Sequence, residues 1–320
     1  MRTRTGLAAV AAVALAAVAA CSSSSSSSSS SAPAASASSS SSSSNPLSQG
    51  GAASTVVVGS ANFPESELLA EIYSQALQAK GIKVTTKLNI GSREVYYPQI
   101  EKGTISIFPE YNGALLSVAV DPKSTAKTTA EVDAALTAKL PSSLEILNAS
   151  TAVDADSVTV TQATAAKYHL KSIEDLKPYA KDLIIGGPPE FKTRVDGLVG
   201  LKDNYGLTFK GFDPLDESGP ITLAALVNGK VQAADVFTTT PQIITDKLVA
   251  LADPKFNFAA QNVVPLVYKP AMNSTITDTL NAISAKLTTA ALLQMDAAVI
   301  LQHADYSTVA AGFLKTAGLS

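Results

Sequence analysis

The chain has 320 residues, 46% of them apolar and 16% charged, with 24 basic residues against 27 acidic ones, two histidines and a single cysteine. A slightly acidic chain without a basic run gives no electrostatic footprint for nucleic acid or anionic lipid, and one cysteine excludes an intrachain disulfide. The length allows one large domain or two small lobes beside any targeting segment.

Arg2 and Arg4 precede an apolar stretch from Leu7 to Ala20 that is too short to span a bilayer comfortably and ends in small residues before Cys21. The "VAAC" box resembles a bacterial lipoprotein signal, with Val18 where leucine is commonest. That resemblance implies a signal peptide over residues 1–20, cleavage before Cys21 and diacylglycerol on its sulfur; the alternative is a plain secretory peptide with an incidental cysteine. Loss of Arg2 and Arg4 leaves 22 basic residues against 27 acidic ones, a net charge of −5. After the lipidated Cys21, Ser22 to Ser54 is almost entirely serine, alanine and glycine with Pro33 and Pro46. Such a composition buries too little apolar surface to fold, so residues 21–54 read as a disordered tether with a root-mean-square span of about 30 Å.

The folded part opens with Val56 to Val58, a short buried-strand run broken by Gly59 and Ser60. Pro64 suits a first helical position, Glu65 and Glu67 complement the helix dipole, and Leu68, Leu69, Ile72, Tyr73, Ala76 and Leu77 recur at helical spacing until Gly81. Ile82 to Leu88 alternates as a strand, Ser92 caps a helix running through Val95 to Glu101, and Ile105 to Phe108 follows Gly103 as another strand. Tyr96 and Tyr97 are adjacent on that helix, so one belongs to the core and the other to a cleft or the surface. Strands alternating with helices imply a parallel or mixed sheet covered on both faces.

"IEKGTISIFPEYNG" from Ile100 and "LVNGKVQAADVFTTTPQ" from Leu226 share one pattern: a helix end, a glycine, a strand and a polar loop. Ligands of open α/β sheets bind beyond the carboxyl ends of strands. In two facing lobes, Glu110 and Tyr111 would therefore meet Phe237, Thr238, Thr239 and Thr240 across a cleft. Catalysis has little support: His169 and His303 lie far apart in polar contexts, and no nucleophile elbow, phosphate loop or zinc motif occurs. No catalytic residue, cofactor or metal is expected.

The segments "VGSANFPESELLAEIY", "IGSREVYYPQIEKG", "PEYNGALL", "GGPPEFKTR", "GFDPLDESGPITLAALVNGKV" and "VFTTTPQI" together resemble the substrate-binding lipoproteins of ABC importers for osmoprotectants, the glycine betaine, choline and proline betaine family. The resemblance implies an α/β, type II periplasmic binding protein fold, with two lobes joined by two crossover segments around a ligand cleft. Lobe 1 would hold residues 55–155 plus 263–320 and lobe 2 residues 156–262. It also implies an extracytoplasmic, membrane-tethered, monomeric receptor that hands a small betaine or choline-type ligand to an ABC permease with its ATPase. The alternative is the same fold binding another polar or aromatic small molecule, for uptake or sensing.

A quaternary ammonium has no N–H to donate, so proteins hold it with electron-rich ring faces and oxygens. By the resemblance, Tyr111 matches a ligand tyrosine and Phe237 stands where another tyrosine is common. Asp156 and Gln261 occupy further tyrosine positions, and Ala61 replaces a polar residue beside Asn62, so the cage is incomplete. Arg194 matches a position whose guanidinium can clamp a ligand carboxylate, with Arg93 as a second candidate near a helix N-terminus. The equal alternative for either arginine is an ion pair to Glu190, Glu110 or Glu94. Asn62, Glu110, Asp154, Thr238 and Thr240 complete the candidate ligand residues.

Overall fold

The computed structural model describes residues 55–320, so the expected signal peptide, lipidated Cys21 and serine tether lie outside the described residues. The first sheet contains β1 (Val56–Gly59), β2 (Val84–Lys87), β3 (Ile107–Tyr111), β4 (Leu144–Ile146) and β10 (Val263–Tyr268), in the order β2-β1-β3-β10-β4. The second contains β5 (Val158–Thr161), β6 (Ile184–Gly187), β7 (Gly211–Pro214), β8 (Ala233–Asp235) and β9 (Leu248–Ala250), in the order β7-β6-β8-β5-β9. The two sheets share one plan. Four strands run in one direction, and the fifth, antiparallel to both its neighbours, arrives from the other sheet: β10 in the first and β5 in the second.

Each sheet has its own apolar core, because each presents buried branched residues to helices on its faces. Val56, Val58, Ile107 and Leu266 pack with Leu68, Leu69 and Ile72 of α1 (Pro64–Ala79) and with Leu280 and Ile283 from the C-terminal helices. Val158, Val160, Ile185 and Ala233 pack with Leu201, Tyr205 and Phe258. The chain passes between the sheets twice, after β4 and after β9. The two crossovers lie side by side: Val153 bridges Asn262 in antiparallel fashion, Asp154 N–H donates to the Gln261 carbonyl at 3.2 Å, and Val263 N–H to that of Ala152 at 3.1 Å.

Three local expectations change. β3 runs on through Pro109, Glu110 and Tyr111, read as a loop from sequence, because antiparallel β10 pairs along its whole length, with Pro265 opposite Pro109. Opposed residues in such a ladder alternate between bonded and non-bonded pairs, and only the bonded ones need both N–H groups. On α2 (Arg93–Glu101), Tyr96 and Tyr97 are both buried, Tyr96 by stacking on Phe108 with ring centroids 4.0 Å apart. Glu65 sits in the first turn of α1 but is buried rather than solvated at the helix end.

Candidate functional site

The carboxyl ends of β1, β3 and β8 and the amino ends of the antiparallel β5 and β10 converge on one edge, where the two sheets face each other. Phe63 follows β1, Tyr111 ends β3, and Phe237 follows β8. The Phe63 ring centroid lies 6.0 Å from that of Tyr111 and 5.1 Å from that of Phe237, the second pair edge to face. These rings line a cavity of about 30 Å³ with Arg93, Asp154, Asp156, Arg194, Glu217 and Gln261. That is about the room of one water. A larger chamber of about 280 Å³ lies to one side, bounded by Ser117, Lys127, Asp196, Asn204 and Asn257. Among the described residues Phe256 is its only aromatic side chain, so it lacks the paired aromatic faces of the smaller cavity.

Both arginines are occupied by carboxylates. Arg93 donates through Nε and Nη2 to the two oxygens of Glu110, each at 2.9 Å, and the same carboxylate accepts from the Tyr96 hydroxyl and from Tyr111 N–H. Glu110 therefore stands behind the cavity, fixing Arg93 and the end of β3. Arg194 makes the same two-pronged contact with Glu94 of α2, at 3.0 and 2.9 Å, and so ties the second lobe to the first. Burial opposes ionisation of Glu94, but the hydrogen bond and charge of Arg194 outweigh it and hold the carboxyl down at about 2.

None of the other carboxyls described here makes a direct contact with either guanidinium. Asp154 accepts from Thr239 N–H at 3.0 Å and from the Thr238 hydroxyl at 3.3 Å; burial, then Glu65, pushes its carboxyl up. Asp156 accepts from the Gln261 amide at 2.8 Å. Burial raises Glu217 to about 7 against the opposing pull of Arg194 and Arg93. Burial and then Asp156 raise Asp196 to about 6, and this side chain takes a hydrogen bond from Ser117 of the first lobe at 3.0 Å. Glu65 accepts from the Tyr111 hydroxyl on one oxygen and from the Thr239 hydroxyl at 2.7 Å on the other, a further tie between lobes.

Of the residues expected from sequence, Tyr111, Phe237, Arg93, Arg194, Asp154, Asp156 and Gln261 come together on the cavity wall. Asn62, Glu110, Thr238 and Thr240 do not. Asn62 is exposed, its amide nitrogen directed to Glu217 at 2.9 Å and the Gly91 carbonyl at 3.3 Å. The Thr238 hydroxyl accepts from Ala155 N–H at 2.9 Å, and Thr240 pairs with Ser218 at 2.8 Å. Sequence reasoning missed Phe63, Glu65 and Glu217, although Phe63 stands within the quoted "SANFPESE" beside Asn62.

The model of the OpuAC family, the substrate-binding domain of the ABC-type glycine betaine transport system, matches residues 54–316. The chain belongs to that family. Among OpuAC relatives, the glycine betaine-binding protein YehZ of Escherichia coli (strain K12) is 28% identical over 281 residues, 83% of this chain and 92% of its own. A glycine-betaine-binding protein of Pseudomonas aeruginosa is 26% identical, covering 82% of this chain and 88% of its own. The solved structure of a glycine betaine/carnitine/choline ABC transporter protein superposes with a TM-score of 0.65 at 22% identity, over 82% of this chain and 99% of that one, which shows the shared fold. An OpuAC domain is the substrate-binding part of such a transport system.

Proposed function

We propose that this OpuAC protein is the extracytoplasmic receptor of an ABC importer, tethered through lipid on Cys21, that takes a small quaternary amine between its lobes and performs no chemistry on it. Residues 55–155 with 263–320 form one lobe and residues 156–262 the other. One observation carries the ligand class: Phe63, Tyr111 and Phe237 converge beside Asp154, Asp156 and Glu217, while both guanidiniums are already spent on Glu110 and Glu94. Ring faces contribute roughly 0.5–2 kcal/mol each to a quaternary ammonium, and buried carboxyls favour positive over zwitterionic solutes.

Calorimetric titration of the purified protein with choline and glycine betaine tests the reading. Choline should bind the tighter by roughly tenfold, about 1.4 kcal/mol. Absence of binding across a panel of betaines, choline and carnitine would sink it. A second reading rests on Arg194, which lines the cavity while its partner Glu94 is half exposed. If the guanidinium turns to a ligand carboxylate, glycine betaine wins and Arg194→Gln abolishes that preference alone. The tether is checked in the same cells: Cys21→Ser should move the protein from the membrane pellet to the soluble fraction.

A further inference from the structure

Behind the Phe63–Phe237 pair lies a second cavity of about 30 Å³, sharing Phe63, Phe237 and Glu217 with the first and closed on its far side by Glu65 and Asp296. Asp296 is the last residue of the helix Thr289–Asp296, where the backbone widens into a π-helical turn over Ala297–Leu301, a distortion found often at functional sites. The side chain is 1% exposed, and apart from the facing Glu65 carboxyl no group among the described residues bonds to either of its carboxyl oxygens. It faces Glu65, whose own two oxygens already accept from Tyr111 and Thr239. Two carboxyls can bond to each other only if one keeps a proton, and an unsatisfied buried carboxylate is costly. Oxygen acceptors from Ser218, Thr239 and Thr240 complete the wall.

We propose that this cavity is a second cation subsite, taking a hydrogen-bond-donating ammonium on Asp296 and Glu65, so that the preferred ligand carries a protonated amine beyond its quaternary head. The proposal rests on the reading of the main cleft as a quaternary-amine site. Its wall lacks Tyr111, and beyond the two shared rings its polar atoms are the oxygens of Glu65, Ser218, Thr239, Thr240 and Asp296, which accept from an N–H cation and find no donor on a methylated one. No group of three or more histidine, cysteine or acidic residues among the described residues is disposed to hold a metal ion. An ammonium satisfies both Asp296 oxygens and removes the need for a shared proton. Charge-assisted bonds of this kind are about twice as strong as neutral ones.

The test compares choline and its one-carbon-longer homologue with their amino analogues, in which a primary ammonium replaces the hydroxyl, by calorimetry on the parent and on Asp296→Asn. The parent should bind an amino analogue at least about tenfold tighter than its hydroxyl counterpart. Asp296→Asn should abolish that preference while changing choline affinity less than about threefold. Equal affinities in the parent overturn the subsite without recourse to any variant, as does a preference that survives in Asp296→Asn. Binding of the hydroxyl probes in that outcome leaves the main-cleft reading standing. Failure of all four probes overturns the subsite, and the main reading falls with it only if the wider betaine panel also fails.

Discussion

Tyr111 joins two tasks that a sequence cannot separate. Its ring is one of three faces on the cavity, and its hydroxyl donates to the buried Glu65. Tyr111→Phe keeps the ring and strips Glu65 of a donor, which costs about 1–3 kcal/mol for a buried polar group. The variant should therefore melt lower than the parent yet bind a quaternary amine within a few-fold. Tyr111→Ala loses the ring as well, and affinity should fall by roughly 2-fold to 30-fold, the equivalent of about 0.5–2 kcal/mol. Titration beside melting of both ligand-free variants checks this; equal binding losses in Phe and Ala would assign the role to the hydroxyl.

Among the elements, the turn after β3 is held by contact with the returning crossover. Asn112 Oδ1 accepts from the N–H of Asn262 at 2.8 Å and of Gly113 at 2.9 Å, and a Cβ on Gly113 would lie 2.2 Å from the Ala260 carbonyl oxygen. No real Cβ sits that near a backbone atom. Gly113→Ala should lower the melting temperature by several degrees and weaken ligand binding, measured by the same two methods; an unchanged melting temperature would mean the crossover yields freely. This contact also marks how far the sequence is readable. α1 is plain in it, because Pro64 and the apolar spacing act locally. The end of β3 is not, since its partner β10 returns only after the second sheet is complete. Glu65 and Asp296 look like ordinary acids in helical turns, and nothing local says that both face inward. The arginines stay ambiguous for a related reason: clamp and ion pair need the same guanidinium, and only the folded chain brings Glu110 and Glu94 to them.

For the molecule as a whole, an acidic cleft makes stability depend on pH in a definite direction. Burial holds Asp196 at about 6 and Glu217 and Asp296 at about 7, above their ordinary values of 3.8, 4.5 and 3.8. A carboxyl with a raised folded pKa favours the fold fully when protonated in both states, below about pH 4, and this stabilisation is lost as pH rises through about 7. Glu94, depressed to about 2, acts oppositely, but its contribution is lost only as pH falls below about 4.5. The ligand-free melting temperature should therefore decline from about pH 5 to pH 8. Saturating choline should flatten the decline, because a cation among the carboxyls favours their ionised forms. A scanning-calorimetry series over that range decides it, and a melting temperature rising with pH would contradict the assignment. The paired crossovers give this charge a mechanical setting. Asp154, Asp156 and Gln261 belong to the two crossover segments that join the sheets, so in the proposed site a solute's charge is felt at the junction rather than at the rims. A lever moved at its fulcrum travels least there and most at its tips. If the lobes turn about that junction, whatever docks on their outer rims meets a larger displacement than the one made at the pivot.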